Sequence, residues 1–228
     1  MARRAKIFLF LLFFFPHLFI HCKGQSIRPF SFVSHDIRIN IQAGNPALVI
    51  AMDSLEINYS KETREIYFFL AESLAVQKVM VGNQSLPCRR ERKTKYQRYL
   101  ADQNSQFTQP QSPARLYKIT LPPKLLPNTL VIYYQGRINF ATHGDTSGHA
   151  NRNSLRIEEH ALWYPTVPGC LSSFRLTSIS PKAYKIVSAG KRTLQIESGD
   201  SLVCIWQQDM PVRGSFLYAE VRQDHDEK

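Results

Sequence analysis

The chain has 228 residues, 43% of them hydrophobic and 21% charged, with a formal net charge of +11. That is long enough to bury one sizeable core and too apolar for a disordered tail. Its four cysteines are too few for a scaffold built on disulfides.

At the N-terminus, Arg3, Arg4 and Lys6 precede an apolar run from Ile7 to Phe15, which continues, broken by Pro16 and His17, to Ile20. Its length fits the core of a secretory signal and falls short of the ~20 residues that a membrane-spanning helix needs. Cys22 and Gly24 stand at −3 and −1, so cleavage is expected between Gly24 and Gln25. An uncleaved anchor is one rival. A lipoprotein acylated on Cys22 is a weaker one, because His21 stands where a small residue normally precedes a lipidated cysteine. Arg3-Arg4 lacks the flanking residues of a twin-arginine signal and reads as ordinary charge. Residues 1–24 carry four basic residues and no acidic one, so the mature chain keeps 25 basic against 18 acidic residues, a formal +7. It also keeps Cys88, Cys170 and Cys204, an odd set that permits one disulfide and one free thiol without choosing the pair.

From there the dominant period is two. Ile37, Ile39 and Ile41 alternate with Arg38 and Asn40, and Leu55, Ile57 and Tyr59 with Glu56 and Asn58. Such alternation marks a half-buried strand. Ile66, Phe68 and Leu70 follow, then Val79 and Val81 running into Gly82-Asn83, a turn signal. Glu72 to Gln77 has helix-friendly residues but is too short to insist on. Tyr117, Ile119 and Leu121 meet Pro122-Pro123, and Leu130, Ile132 and Tyr134 stop at Gly136. Phe174 and Leu176, Leu194 and Ile196, Val203 and Ile205, and Phe216 and Tyr218 carry the pattern to the end. This predicts an all-β fold, a multi-stranded antiparallel sandwich of at least ten short strands. Two stretches break the pattern. Arg89 to Pro113 is polar, basic and Gln-rich, and Ala141 to Arg152 is rich in Gly, His and Asn; both read as loops. The domain scheme is signal peptide 1–24, β domain 25–222 and charged tail 223–228.

Candidate sites are sparse. His143, His149 and His160 stand six and eleven residues apart beside Asp145, Glu158 and Glu159. Those spacings match no standard zinc pattern, which favours loop histidines. Arg89, Arg90, Arg92, Lys93, Lys95 and Arg98 are interleaved with Tyr96 and Tyr99, a pattern that suits an anionic surface. A solvated loop is the preferred reading, and export argues against nucleic acid. No Gly-x-Ser-x-Gly occurs, and Ser147 before Gly148-His149 is a poor imitation of one. Cys204, inside Leu-Val-Cys-Ile-Trp, reads as a core or disulfide cysteine. Asn58-Tyr-Ser60 and Asn83-Gln-Ser85 are glycosylation sequons if the host glycosylates exported chains.

Residues 157–191 read IEEHALWYPTVPGCLSSFRLTSISPKAYKIVSAGK. The run Trp163-Tyr164-Pro165, the strand Phe174 to Ile179, the turn at Pro181 and the corner Val187-Ser188-Ala189-Gly190 resemble the N-terminal β domain of the aminopeptidase N-like (gluzincin) zinc metallopeptidases. Leu116 to Pro122, Leu130 to Ile138 and Trp206 to Val221 follow that domain's order, and the resemblance spans roughly Phe32 to Val221. It implies a saddle-like β domain in which Trp163, Tyr164, Pro165, Pro181 and Gly190 are structural. The family's zinc site needs His-Glu-x-x-His on a helix, two histidines one turn apart with a glutamate base between them. That motif is absent here, as is the Gly-x-Met-Glu-Asn exopeptidase loop. Nor does His143 to Arg156 carry the family's substrate-contacting text.

The expectation is therefore a non-enzymatic, exported β domain, secreted or periplasmic, with no cofactor and no catalytic residue. It would act on a protein partner, a separate peptidase domain or an envelope component. Membrane contact would come only through an uncleaved or lipidated N-terminus. Two alternatives stand: one chain of a split or truncated zinc aminopeptidase, and a carbohydrate-binding sandwich that uses Trp163 and Tyr164 as its platform. A large apolar patch on one sheet face favours the split enzyme, and an aromatic-lined groove favours sugar.

Overall fold

The computed structural model describes residues 30–42, 47–92, 113–123, 125, 127–138, 148–150, 154–157 and 161–221. Fifteen strands lie among them, and no α-helix. They are β1 (Phe30–Gln42), β2 (Ala47–Tyr59), β3 (Glu65–Ala71), β4 (Leu74–Val81), β5 (Gln84–Ser85), β6 (Cys88–Arg90), β7 (Ala114–Thr120), β8 (Thr129–Ile138), β9 (Gly148–Ala150) and β10 (Ser154–Ile157). β11 (Ser172–Pro181), β12 (Tyr184–Ser188), β13 (Lys191–Ser198), β14 (Ser201–Val212) and β15 (Leu217–Val221) complete the set.

The strands form three sheets. Eight strands in the order β13-β14-β11-β1-β2-β8-β4-β5 make the large one; β12-β15-β10-β9 and β3-β7-β6 make the small ones. One core joins them. Ile37, Ile39, Leu55, Ile132, Tyr134, Leu176 and Cys204 of the large sheet share it with Ile66, Phe68, Leu70 and Ile119 of one small sheet and Leu155, Ile186, Leu217 and Ala219 of the other. The small sheets thus cover the inward face of the large one. The expected antiparallel pairing holds throughout with one exception: β1 and β11 run parallel from Ser34↔Ser173 to Asn40↔Ile179.

Several expectations need adjustment. Glu72 and Ser73 form a turn, and β4 begins at Leu74, so the helix-friendly stretch is a turn and a strand start that carry the chain from the three-stranded sheet to the large one. Arg89 and Arg90 belong to β6, which pairs with β7, so the loop expected from Arg89 starts later. Gly148–Ala150 is a strand paired with β10 inside the expected loop 141–152. Phe216 and Tyr218 are not the core-facing pair of the last strand; Leu217 and Ala219 are, at 0% exposure. In β14 the inward set is Leu202, Cys204 and Trp206, and Val203 and Ile205 point outward.

Candidate functional site

The signature run after β10 is internal. Trp163 and Tyr164 are 0% and 1% exposed. Trp163 donates its indole N–H to the Ser215 carbonyl at 2.9 Å, and the Tyr164 hydroxyl accepts from the Ser215 N–H at 3.1 Å. Two buried polar handles thus close on the backbone that leads into β15. Next in sequence, Phe69 and Thr166 exchange backbone hydrogen bonds, which caps the free edge of β3. Pro165 has no N–H to extend that ladder. Leu162, at φ 52°, is the single described non-glycine residue in the left-handed region, and it packs with Phe69 and Leu116 behind the three-stranded sheet.

The most unusual buried group is polar. The ladder between β1 and β2 slips between Phe32 and Ser34. Phe32 points inward, Val33 is left outside, and His35 becomes the next inward residue. A bulge re-aims side chains in this way. Asp53 occupies an inward position on β2, and His35 Nδ1 lies 2.8 Å from Asp53 Oδ2. The imidazole stacks on Phe174 at 4.8 Å and meets Tyr164 and Phe32 edge-on at 5.1 and 5.9 Å. Asp53 Oδ1 and the Tyr134 hydroxyl have no hydrogen-bond partner. Burial pushes the Asp53 carboxyl above its ordinary range, against the lowering effect of His35. Burial, with the charge of Asp53, pushes the Tyr134 hydroxyl well up.

His35 also lines a small cavity of about 10 Å³ with Thr166, Cys170, Ser172 and Arg213. That is room for about one water. The Thr166 and Ser172 hydroxyls already donate to the carbonyls of Tyr164 and Phe32. The arrangement locks a core; it has no space for a substrate.

The other sequence candidates fall apart in space or outside the described residues. Arg89 pairs with Glu91 at 3.2 Å and Arg90 with Glu72 at 3.5 Å, while Arg92 is exposed. Lys93, Lys95 and Arg98 lie outside the described residues, as do Gly24, Gln25, His143 and His160. Among the described residues no three His, Cys, Asp or Glu side chains are placed to hold a metal ion. Pro181 ends β11 opposite Ser201. Gly190 has φ +84°, and a Cβ there would sit 2.2 Å from the Gln207 carbonyl oxygen. Cys88, Cys170 and Cys204 are not joined by a disulfide. Burial raises the Cys88 thiol to about 12, which makes it a poor nucleophile.

What sequence reasoning did not anticipate is the outer face of the large sheet. Following the register, one row runs Leu194, Ile205, Thr177, Arg38, Met52, Tyr133, and the next Ile196, Val203, Ile179, Asn40, Ile50, Gln135. Ile50, Tyr133, Leu194 and Ile196 are 38–49% exposed. Two apolar strips thus flank Arg38 and Asn40.

No family model matches the sequence, and no curated protein does. Solved structures do. The M1 zinc metallopeptidase from Deinococcus radiodurans superposes with a TM-score of 0.64 at 14% identity, covering 85% of this chain and 42% of the enzyme. A point mutant of the same enzyme gives 0.64 at 16%. Yeast LTA4 hydrolase in complex with bestatin gives 0.53 at 13%, covering 86% of this chain and 29% of that one. The fold is that of the M1 metallopeptidase β domain. This chain spans less than half the length of those enzymes. The zinc in the Deinococcus enzyme's name has no matching ligand set among the residues described here.

Proposed function

We propose that this chain is an exported, non-catalytic β module that acts by binding a protein partner, a separate peptidase chain or an envelope component. The observation that carries the reading is the extent of the likeness: 85% of this chain superposes on 42% of a zinc peptidase, and no His-Glu-x-x-His occurs in the 228 residues. Burial of Trp163 and Tyr164 speaks against a sugar platform, which needs exposed rings. Export rests on the N-terminal signal pattern, with cleavage before Gln25. A split or truncated zinc aminopeptidase is the second reading, favoured by the apolar strips on the outer sheet face.

Metal analysis of purified protein, beside an assay with aminoacyl reporter substrates, tests the proposal. The expected result is no stoichiometric zinc and no turnover. One equivalent of tightly held zinc, with turnover abolished by a chelator, overturns it. Turnover that appears only on mixing with a separate chain bearing His-Glu-x-x-His selects the second reading. N-terminal sequencing of the exported protein is expected to begin at Gln25.

A further inference from the structure

At one end of the large sheet, β13 contributes nothing to the core. All eight of its residues are exposed, and its one neighbour among the described strands is β14, to which the Gly199-Asp200 turn joins it. The outer side of such an edge strand offers unpaired backbone N–H and C=O groups. Natural sheets guard such edges with charge, proline or a bulge. Here the guards sit at one end, Lys191, Arg192 and a bulge between Arg192 and Leu194. The stretch Leu194–Ser198 has no lysine, arginine or proline, and Leu194 and Ile196 stand out from it.

The strand is complementary to itself. Gln195 and Glu197 share rows with Cys204 and Leu202 and face inward; Leu194 and Ile196 share rows with Ile205 and Val203 and face outward. The bulge takes Thr193 out of the count, so Arg192 occupies the row of Trp206, with its guanidinium 5.6 Å from the indole ring. A two-fold axis through Gln195, perpendicular to the sheet, then sets row against row without a mismatch of faces. Gln195 meets Gln195 of the second copy, Leu194 meets Ile196 on the outer face, Arg192 meets Glu197 on the inner face, and Lys191 meets Ser198. Opposed apolar side chains and opposite charges are what stabilise antiparallel neighbours. We propose that β13 is the seam of a homodimer, in which two copies pair this strand antiparallel about Gln195 and join their large sheets into one. The pairing also makes the two Leu194–Ile196 strips continuous across the seam. It does not depend on whether the module serves a peptidase.

A seam of one short strand pair buries far less than a standard interface, so the dimer is weak and is sought at about 10–1000 µM. Sedimentation velocity on the purified protein over that range is expected to show monomer and dimer exchanging with concentration. E197R places arginine opposite Arg192 in two symmetric rows and is expected to weaken the dimer about tenfold. R192E is expected to do the same, and the double swap R192E/E197R to restore it. Gln195→Cys is expected to form an intermolecular disulfide on mild oxidation, because facing residues across such a seam lie within disulfide reach. Amide exchange in Leu194–Ser198 of the native chain is expected to slow as concentration rises, a readout that needs no variant. A monomer throughout the range overturns the proposal. So does a dimer that E197R leaves unchanged, or one whose strand exchanges at the same rate as the monomer's.

Discussion

His35 Nδ1 lies 2.8 Å from Asp53 Oδ2, with the two side chains 3% and 0% exposed. The contact joins β1 to β2 beneath the aromatic rings of Phe32, Tyr164 and Phe174. A buried carboxylate costs several kcal/mol of desolvation unless it is fully paired, and the second oxygen of Asp53 has no partner.

The Asp53 carboxyl is raised by burial above its ordinary 3.8, with the coulombic and hydrogen-bond effects of His35 opposing and Asp36 adding. For a group raised on folding, the stability it contributes is fully present below the unfolded value and is lost as pH rises through the folded one. Native protein is therefore expected to lose stability relative to Asp53→Asn as pH rises from 3.8 through the raised folded value, because asparagine keeps a polar partner for His35 without a charge to desolvate. Urea titrations of both proteins across that range read the difference. Parallel profiles would refute it. Asp53→Ala, which leaves the buried imidazole Nδ1 without its partner, is expected to cost about 1–3 kcal/mol across that range.

The Tyr134 hydroxyl is buried and without a hydrogen-bond partner, although its ring fills the core at 1% exposure. Removing an unsatisfied buried hydroxyl while keeping the ring relieves a desolvation penalty. Tyr134→Phe is expected to be neutral or stabilising by up to about 1 kcal/mol. A clear loss in thermal denaturation would mean that the hydroxyl has a partner such as an internal water.

Trp163 is the largest of the fully buried side chains. Trp163→Ala is expected to cost about 3–5 kcal/mol. Trp163→Phe, which keeps most of the area but loses the 2.9 Å bond to the Ser215 carbonyl, is expected to cost less. A loss of only a few tenths for the alanine variant would place the indole at the surface and reopen a binding role for it.

Much of the fold was legible from alternation. Ile37-x-Ile39-x-Ile41 and Leu130-x-Ile132-x-Tyr134 point inward as their period demands. Where alternation misled, the reason is physical. The first half of β2 turns Ala47, Val49, Ala51 and Asp53 inward and Leu48, Ile50 and Met52 outward, so its buried face is the less hydrophobic one and the strand is invisible before Leu55. Asp53 is accommodated there because His35 meets its carboxyl at 2.8 Å. The same inversion hid the apolar outer face at β13 and β14. The Val33 bulge breaks the period of two in front of His35, so nothing local marks that histidine as internal. The parallel contact of β1 with β11 is a pairing across about 140 residues, which no local pattern encodes. Trp163-Tyr164 was legible as structural through the resemblance, while their backbone partners at Ser215 were not.

Gly190 and Gly199 separate backbone strain from steric collision on one hairpin. Both have positive φ, +84° and +57°, where an L side chain is strained by roughly 1–2 kcal/mol. Around Gly199 nothing lies within 4 Å of an added Cβ, so Gly199→Ala is expected to lose about that strain and no more. At Gly190 the added carbon would sit 2.2 Å from the Gln207 carbonyl oxygen and 2.6 Å from its carbon. Those atoms are backbone in the middle of β14, so they cannot swing aside as a side-chain tip would. Relief requires β13 to part from β14 at the Lys191↔Gln207 pair. Gly190→Ala is therefore expected to cost more than about 2 kcal/mol and to speed amide exchange in β13 before the rest of the sheet. Exchange measured residue by residue, beside urea titration of both variants, checks it. Equal losses in the two variants would show that strain alone matters and that the corner at Gly190 has room for a side chain.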